Sequence, residues 1–219
     1  MTAGSDSSEA RTITRLTTQE NDASRTSVFL GGEFAFGVHQ DLVLRHGLHK
    51  GSTLSLEEER ALREEDAEMK AKAKAMRYVA RRARTCAEVR RKLREKGHPP
   101  PAIDGAVARL KELGYLDDAE YAREYVRSRF RAKGYGPVRL KHELKERGVA
   151  RLQIEDAMLE LDHDELREAA REHARKRWPR LAGEDDPRRR RQKLTGYLRR
   201  RGFSYERIRN VVEECVQDT

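Results

Sequence analysis

The sequence predicts a mainly α-helical protein: three tandem three-helix repeats that form an elongated curved array, preceded by a small N-terminal cap that contains a β-hairpin. Two observations support this fold class. Of the 219 residues, 37% are hydrophobic and 39% are charged, which suits helices with one apolar face better than a large sheet. Beyond residue 68 the chain also repeats itself, because LREKG at 93–97 recurs as LKERG at 144–148 and as LRRRG at 198–202.

The repeat keeps its register beyond the five-residue segment. An apolar residue stands four positions before each leucine and an isoleucine stands ten positions after it, at spacings of 51 and 54 residues. These positions are Val89, Leu140 and Leu194, and then Ile103, Ile154 and Ile208. The pattern predicts a helix that ends in a glycine C-cap, a short turn and a second amphipathic helix, with an earlier helix completing each unit. Because such small units bury little surface alone, they should stack on their neighbours.

Capping signals mark where several helices begin. Thr85 with Glu88 three positions later forms a capping box, and Pro137 and Pro187 each stand at a first helical position. These starts agree with the repeat and give three helices to each unit, nine in all.

The N-terminal region differs from the rest of the chain in its residue pattern. Residues 1–10 are small and polar and should form a disordered tail. Residues 11–54 should form the α/β cap, because apolar residues alternate around Gly31-Gly32, as in a hairpin closed by a two-residue primed turn. Residues 13–18 are a candidate third strand and residues 39–46 a candidate short helix.

The helical part divides into four predicted segments. A capping box at Ser55 and Glu58 begins a run without glycine or proline, so residues 55–67 should form an acidic linker helix. The three repeats then cover residues 68–114, 115–162 and 163–219.

Charge is unevenly distributed along the chain. Residues 1–67 hold 7 Lys and Arg against 12 Asp and Glu, whereas residues 68–219 hold 40 against 26. A basic excess of this size attracts polyanions, with nucleic acid first and an acidic protein surface second. No run of about eighteen apolar residues and no signal-peptide pattern occurs, which predicts a cytoplasmic protein without a membrane partner. Cys86 and Cys215 lack the spacing of a disulfide framework or a zinc site.

Evidence for catalysis is weak. The chain has no GxxxxGK[ST] loop, GxSxG elbow, HExxH helix or GxGxxG after a strand. Asp117-Asp118 immediately precedes a helix, which is typical of N-cap residues rather than of a metal pair. We therefore expect no enzyme activity, no catalytic or metal-ligating residues and no cofactor.

The first helix of the middle repeat, about residues 118–133, has a charged half that carries Arg123, Arg127 and Arg131. Glu120 and Glu124 are placed to pair with the first two at i, i+3, so these could simply form a solvated face, and Arg131 is the better contact candidate. Arg129 projects into the apolar half. An unpaired charge there would be costly, so this arginine should bond an acid or a carbonyl or lie at a boundary between units. A structural ion pair is the favoured interpretation.

Two further elements could bind anions. The turn K-G-Y-G-P at 133–137 places Tyr135 between two glycines before a helix N-terminus, where it could cradle a phosphate or carboxylate or could merely join two helices. The helix at 187–201 carries eight basic residues and no acid, which favours polyanion binding. Trp178 is interpreted as a core residue rather than a base-stacking one.

Taken together, GYLDDAEYAREYVRSRFRAKGYGPVRLKHELKERGV at 114–149 resembles the central signature of the RecX regulatory proteins. ARRARTCAEVRRKLREKGHPP at 80–100 is similar to that family's first repeat, and QKLTGYLRRRGFSYERI at 192–208 is similar to its third. VFLGGEFAFGVHQDLVL resembles the N-terminal extension of its longer members. The sequence departs from the family in its acidic linker at 57–66 and its arginine load in the third repeat.

The resemblance implies a negative regulator that binds the RecA recombinase filament on single-stranded DNA and blocks its extension or promotes its disassembly. ATP hydrolysis, strand exchange and SOS co-protease activity would then fall. The implied partners are the RecA filament and single-stranded DNA, with double-stranded DNA left open, and the chain would act as a monomer. The candidate contact residues are Arg90, Arg94, Arg123, Arg127, Arg131, Lys133, Tyr135, Arg139, Lys141, Lys145, Arg188, Arg189, Arg190, Arg191, Lys193, Arg199 and Arg200.

Two other functions agree with the residues. The three-helix units could be helix-turn-helix-like modules of a nucleic-acid-binding protein that acts without a recombinase. They could also form a scaffold for a different protein partner.

Overall fold

The computed structural model describes residues 10–217, which form four β-strands, ten α-helices and one 3-10 turn. The expected disordered tail lies, except for Ala10, outside these residues. The chain divides into two compact units, one reaching to residue 78 and including 92–112, the other formed by residues 79–91 and those after 112. Among the described residues, we find no helix with the length and apolar character needed to cross a membrane.

The first unit contains a four-stranded antiparallel sheet. Its strands are β1 (Arg11–Gln19), β2 (Asp22–Leu30), β3 (Glu33–His39) and β4 (Thr53–Leu54), in the order β3-β2-β1-β4. The predicted hairpin and third strand are present, with Gly31 and Gly32 at φ +59° and +94°, as a type I′ turn requires. The predicted short helix is α1 (Gln40–Arg45). Strand β4 was not predicted, because two residues are too few to show an alternating pattern.

The sheet packs against α2 (Leu56–Val79), which begins at the predicted capping box. The Ser55 Oγ accepts from the Glu58 amide at 3.2 Å, and the Glu58 carboxylate accepts from the Ser55 amide at 2.8 Å. Asp66 is buried on this helix, where it accepts from the Arg25 guanidinium at 3.0 and 3.1 Å and from the His39 amide at 2.9 Å. The acidic stretch is therefore one continuous helix with the residues that follow it.

The remaining helices follow the predicted repeat. In chain order they are α3 (Cys86–Glu95), α4 (Pro100–Glu112), α5 (Asp118–Lys133), α6 (Pro137–Glu146), α7 (Arg151–Met158), α8 (His163–Arg177), α9 (Pro187–Arg201) and α10 (Tyr205–Gln217). The 3-10 turn is Pro179–Leu181. With α2 these make three sets of three, and the predicted mainly helical fold is confirmed. The leucines and isoleucines of the repeat, such as Leu140, Leu144 and Ile154, are buried in the core of their own set.

Consecutive repeats contact each other through one recurring backbone arrangement in the second unit. The Thr85 hydroxyl, at the N-cap of α3, donates to the Arg147 carbonyl at 2.6 Å. Fifty-one residues after Thr85, the Gly136 amide at the N-cap of α6 donates to the carbonyl of Arg201 at 2.9 Å. Arg147 and Arg201 each stand immediately before the glycine that ends the second helix of their repeat. The two contacts thus obey the sequence register.

Gly148 shows why this contact needs glycine. Its φ is +75°, and a Cβ at this position would collide with the Cβ of Ala87 in α3. Gly202, with φ +93°, would collide in the same way with the backbone of α6. Left-handed geometry and close approach therefore both exclude a side chain.

A second contact joins α8 to the turn that follows α5. The Nε2 of His173 lies 3.1 Å from the Gly134 carbonyl oxygen and 3.2 Å from that of Lys133, so it donates when protonated there. Its Nδ1 lies 3.3 Å from the Tyr197 hydroxyl, which can donate to it. Burial, followed by the positive charge of Arg201, lowers the pKa of His173. The neutral ring is therefore the form that this contact favours.

Replacing Gly148 by alanine should destabilise the protein more than replacing Gly114, which has nearly the same φ, +74°, but open space where a Cβ would project. Gly114→Ala should cost about 1–2 kcal/mol for the left-handed conformation. Gly148→Ala should cost roughly 1 kcal/mol more, because the new methyl group meets Ala87. Urea denaturation of both variants measures the difference, and equal losses would show that the close contact is absent.

Between pH 7.5 and 5.5 the protein should lose stability as His173 is forced to take up a proton. Its pKa is lower in the folded chain than its usual 6.5, so the unfolded chain binds the proton first as pH falls. The His173 contribution is complete above pH 6.5 and declines toward the lower folded-state pKa. The groups facing the ring are Arg201, Glu172, the Tyr197 hydroxyl and the carbonyls of Lys133 and Gly134.

His173→Gln keeps an amide donor for the Gly134 carbonyl but does not titrate. Denaturation curves at three pH values should show a smaller slope of unfolding free energy against pH for this variant than for the wild type. Some slope should remain, because burial, then Lys70 and Lys74, also lower the pKa of His98 in the first unit. Identical slopes in the two proteins would contradict the role given to His173.

Candidate functional site

Three surfaces of the second unit carry most of the predicted contact residues. We call the first the boundary cleft, a depression of about 370 Å³. Its lining residues are Glu88, Arg91, Tyr125, Arg129, Tyr135, Arg139, Glu143, Glu146 and Arg147. The second, the inter-repeat groove, is about 1330 Å³ and has residues of α5 on one side and of α8 on the other. The third is the exposed face of α9.

Hydrogen bonds organise the boundary cleft around Glu143. Its carboxylate accepts from the Tyr125 hydroxyl at 2.6 Å and from the Arg139 Nε at 2.9 Å. Burial would raise the pKa of Glu143, but these two hydrogen bonds hold it below its usual value. The bond to Glu143 likewise raises the pKa of Arg139. Arg139, a predicted contact residue, is thus already paired at neutral pH.

Two further arginines of the cleft stack on the ring of Tyr125. The guanidinium carbons of Arg147 and Arg129 lie 4.9 and 5.2 Å from the centre of the Tyr125 ring. The close ion pair expected for Arg129 is not found, because no carboxylate of residues 10–217 lies within 4 Å of it. Its guanidinium stacks on the Tyr125 ring, and, against the effect of burial and together with the hydrogen bonds described above, its charge helps to lower the pKa of Glu143. Its location between elements of adjacent repeats explains how an arginine tolerates the apolar half of α5.

Tyr135 has the same type of environment. Arg139 lies 3.8 Å and Arg201 5.8 Å from the centre of its half-buried ring. The flanking glycines have structural positions, Gly134 as the left-handed C-cap of α5 and Gly136 as the N-cap of α6. The interpretation of this turn as a helix-to-helix connection accounts for both glycines, and a contact role for Tyr135 stays a prediction.

The ion pairs predicted on the charged half of α5 are present. Arg123 bonds Glu120 at 2.7 Å, and Arg127 bonds Glu124 at 3.1 Å and lies 3.6 Å from Glu160. Arg131 is exposed, and no carboxylate of residues 10–217 lies within 4 Å of it. Asp117 caps the helix by accepting from the Ala119 and Glu120 amides, as predicted. Arg131 is therefore the arginine of this face whose charge remains available to a partner.

The inter-repeat groove is polarised along α8. Carboxylates of Glu165, Glu168 and Glu172 line it toward the start of the helix, and Lys176 and Arg177 line it toward the end. At a rise of 1.5 Å per residue, Glu165 and Arg177 are roughly 18 Å apart along the axis. The basic end also includes Arg131, Lys133, Arg180 and Arg201.

Sequence reasoning did not select Arg177, Arg180 or Arg201. Cations are favoured at the C-terminus of any helix, so the basic residues at the end of α8 do not by themselves indicate a contact surface. Arg201 could have been found, because it is one of the eight basic residues of the helix at 187–201 that favour polyanion binding. These side chains add uncompensated positive charge to the groove, because none of them has a carboxylate within 4 Å among the described residues.

The basic residues of α9 separate into two groups. Arg190 stacks on Trp178 at 3.9 Å, Arg189 lies 3.7 Å from Asp186, and Lys193 pairs with Glu184. Trp178 itself packs against the core of the third repeat, as predicted. The exposed arginines without a carboxylate within 4 Å in the described chain are Arg188, Arg191, Arg199 and Arg200. At 100° per residue, the first three of these lie within an arc of about 80°.

The remaining predicted residues are dispersed. Lys141 and Lys145 are exposed one turn apart on α6, and Arg90 is half-buried on α3. Arg94 is exposed but belongs to the first unit, so it is not part of these three surfaces. Within the described residues, no group of three or more His, Cys, Asp or Glu side chains is arranged to hold a metal ion.

Comparison with known proteins identifies the family of the chain. Its residues 11–55 match the "Regulatory protein RecX N-terminal domain". Residues 71–110, 117–158 and 164–212 match the first, second and third three-helix domains of RecX.

Whole relatives agree with the domain matches. The chain is 30% identical over 205 residues to the regulatory protein RecX of Clostridium botulinum (strain Eklund 17B / Type B), covering 93% of this chain and 96% of that one. It is 33% identical over 207 residues to the RecX of Bacillus pumilus (strain SAFR-032), covering 93% of this chain and 77% of that one.

Two solved structures are also similar. A crystal structure of regulatory protein RecX superposes with a TM-score of 0.71 at 26% identity, covering 95% of this chain and 100% of that one. RecX from Lactobacillus salivarius superposes with a TM-score of 0.62 at 28% identity, covering 68% and 96%. Sequence, domain order and fold agree, and the chain belongs to the RecX family of regulatory proteins.

Proposed function

We propose that this chain is a cytoplasmic, monomeric negative regulator of the RecA recombinase. It binds the RecA filament on single-stranded DNA and blocks filament extension or promotes disassembly, and so lowers ATP hydrolysis, strand exchange and SOS co-protease activity. Binding partners, not a cofactor or a chemical reaction, define this function. Family membership supports the link to RecA, and the charges of the second unit support the mode of binding.

One observation carries the proposed mode of binding: exposed arginines on α9 have no carboxylate partner within the described residues. Arg188, Arg191 and Arg199 share one face, and a helix that carries such a face alone is destabilised by its own repulsion. DNA phosphates or filament carboxylates would relieve that repulsion and release counterions. Lys141 and Lys145 on α6 add a second exposed pair. Several weak contacts on consecutive repeats add their free energies when they engage one filament together.

The helix-turn-helix alternative receives less support from α7. This helix is the third of its repeat, the position that enters the major groove in such modules. Its exposed residues include Asp156, Leu152, which is 75% exposed, and Glu155, which pairs with Arg151 at 2.7 Å. Leu159, the C-cap of the helix, is 84% exposed. Carboxylates on the reading helix oppose the DNA backbone, so the middle repeat favours a filament partner over direct readout of duplex DNA.

The ATPase rate of the cognate recombinase on single-stranded DNA tests the proposal. Titrating this protein well below the recombinase concentration should reduce the rate more than its molar ratio allows, because one regulator bound to a filament affects many subunits. An unchanged rate, together with tight binding to DNA alone, would replace the proposal by the nucleic-acid-binding alternative.

The α9 face should contribute a salt-dependent part of binding to single-stranded DNA. Replacing Arg188, Arg191 and Arg199 by alanine should reduce the slope of log affinity against log salt by about 2, since each lost phosphate contact removes roughly 0.7 on single strands. The matched control replaces Arg189 and Lys193, whose charges are paired within the chain. Fluorescence anisotropy at four salt concentrations gives both slopes, and equal changes in the two variants would remove the α9 face from the proposal.

A further inference from the structure

The inter-repeat groove has a volume of about 1330 Å³, larger than the 300–1,000 Å³ typical of small-molecule pockets. Its lining is polar and charged, with aromatic rings of Phe130, Tyr135 and Tyr197 in its wall. A surface of this size and composition suits a segment of a macromolecule better than a metabolite.

The order of charges in the groove restricts the class of that macromolecule. Glu165, Glu168 and Glu172 line one half, so a nucleic-acid strand laid along the groove would pass three carboxylates on α8. Glu168 pairs with Arg175 and Glu172 with Lys176, whereas no Lys or Arg lies within 4 Å of Glu165 among the described residues. Exposed pairs of this kind are weak enough to be exchanged for the charges of a partner. Repulsion between phosphates and these carboxylates would offset part of the attraction of the basic end. A polypeptide segment can instead present basic residues to one half and acidic residues to the other.

The basic half has the property expected of a binding surface. Lys133 and Arg180 are exposed and lack a carboxylate within 4 Å among residues 10–217. The Nε of Arg177 is buried there without a hydrogen-bond acceptor in the described chain, although a buried donor is normally satisfied. At other positions of the second unit, such as Arg123 and Arg171, the chain supplies carboxylates to its own arginines. This half therefore has charge available for carboxylates from outside.

We propose that the inter-repeat groove binds a protein segment of mixed charge that belongs to a recombinase subunit, with its carboxylates at Lys133, Arg177 and Arg180 and its basic residues at Glu165 and Glu168. The inference rests on the function proposed above and separates two roles. The groove recognises the recombinase protein, and the α9 face binds phosphate. Recognition of the filament rather than of bare DNA then comes from requiring both surfaces.

Two charge-reversed variants and one control test the groove. The basic-end variant is Lys133→Glu with Arg180→Glu, the acidic-end variant is Glu165→Lys with Glu168→Lys, and the control is Arg188→Glu with Arg191→Glu on α9. The basic-end variant and the control change the net charge equally. Affinity is measured by fluorescence anisotropy for recombinase filaments preassembled on labelled single-stranded DNA and, separately, for the same DNA alone. Circular dichroism and thermal unfolding verify that each variant folds.

The basic-end variant should bind filaments at least tenfold more weakly than the wild type does. Its affinity for DNA alone should stay within twofold of the wild-type affinity. The acidic-end variant should also bind filaments more weakly, because a mixed-charge segment loses its basic contacts, whereas a polyanion in the groove would bind it more tightly. The α9 control should weaken binding to both targets.

Distinct results separate failure of the groove from failure of the proposed function. Wild-type filament affinity in both groove variants, or tighter binding by the acidic-end variant, would overturn the groove assignment while the regulator proposal stands. Filament binding by the wild type that does not exceed its binding to DNA alone would overturn the regulator proposal and the groove assignment with it.

Discussion

Docking between consecutive repeats depends on a helix N-terminus meeting a glycine turn. In both observed cases the N-cap residue of the second helix of one repeat donates to the carbonyl before the glycine that ends the second helix of the next. Thr85 uses its hydroxyl and Gly136 its amide, so the chemistry of the donor differs while the position is kept. Since the acceptor is backbone, side chains around it can change without loss of the bond, and the glycine is the residue that must remain. The clefts and grooves of the second unit exist because this contact fixes their walls.

The side chains around the two contacts differ, and this difference sets the local charge. At the first contact Arg147 lies 3.5 Å from Glu88, so the positive charge has a partner. At the second contact the equivalent positions are Arg201 and Arg139, and both guanidiniums stack on Tyr135. A tyrosine ring accommodates two arginines through its π-face but does not neutralise them. Arg139 has its carboxylate partner in Glu143, whereas no carboxylate lies within 4 Å of Arg201 among the described residues. Arg201 therefore keeps its positive charge, unlike Arg147 at the first contact, and it forms part of the basic end of the groove.

Most of the fold could be predicted from the sequence because its signals are local and repeated. The glycine turns, the capping boxes at Ser55 and Thr85 and the proline starts each depend on residues within a few positions of one another. The contact residues were harder to predict, because the position of an arginine on its helix does not show whether a carboxylate or an aromatic ring of another helix lies beside it. Arg129 and Arg190 illustrate this, since Tyr125 and Trp178 cover them. The groove required α5 and α8 to lie together, which no spacing in the sequence specifies. The family resemblance supplied the expected partner, and the charges add a hypothesis about where it binds.

The start of α9 has a consequence for contacts between copies of the chain. Thr85 and Gly136 each stand eight positions before the first leucine of their glycine turn, and the residue at that distance from Leu198 is Arg190. Arg190 lies inside α9, and its amide already donates to the Asp186 carbonyl at 2.9 Å. At the other extreme of the repeat series, Gly97 has φ +76° and open space around it, the geometry that a docking turn needs. A head-to-tail contact between copies would propagate without closing, and the third repeat lacks the free donor that this contact would require at the Gly97 turn.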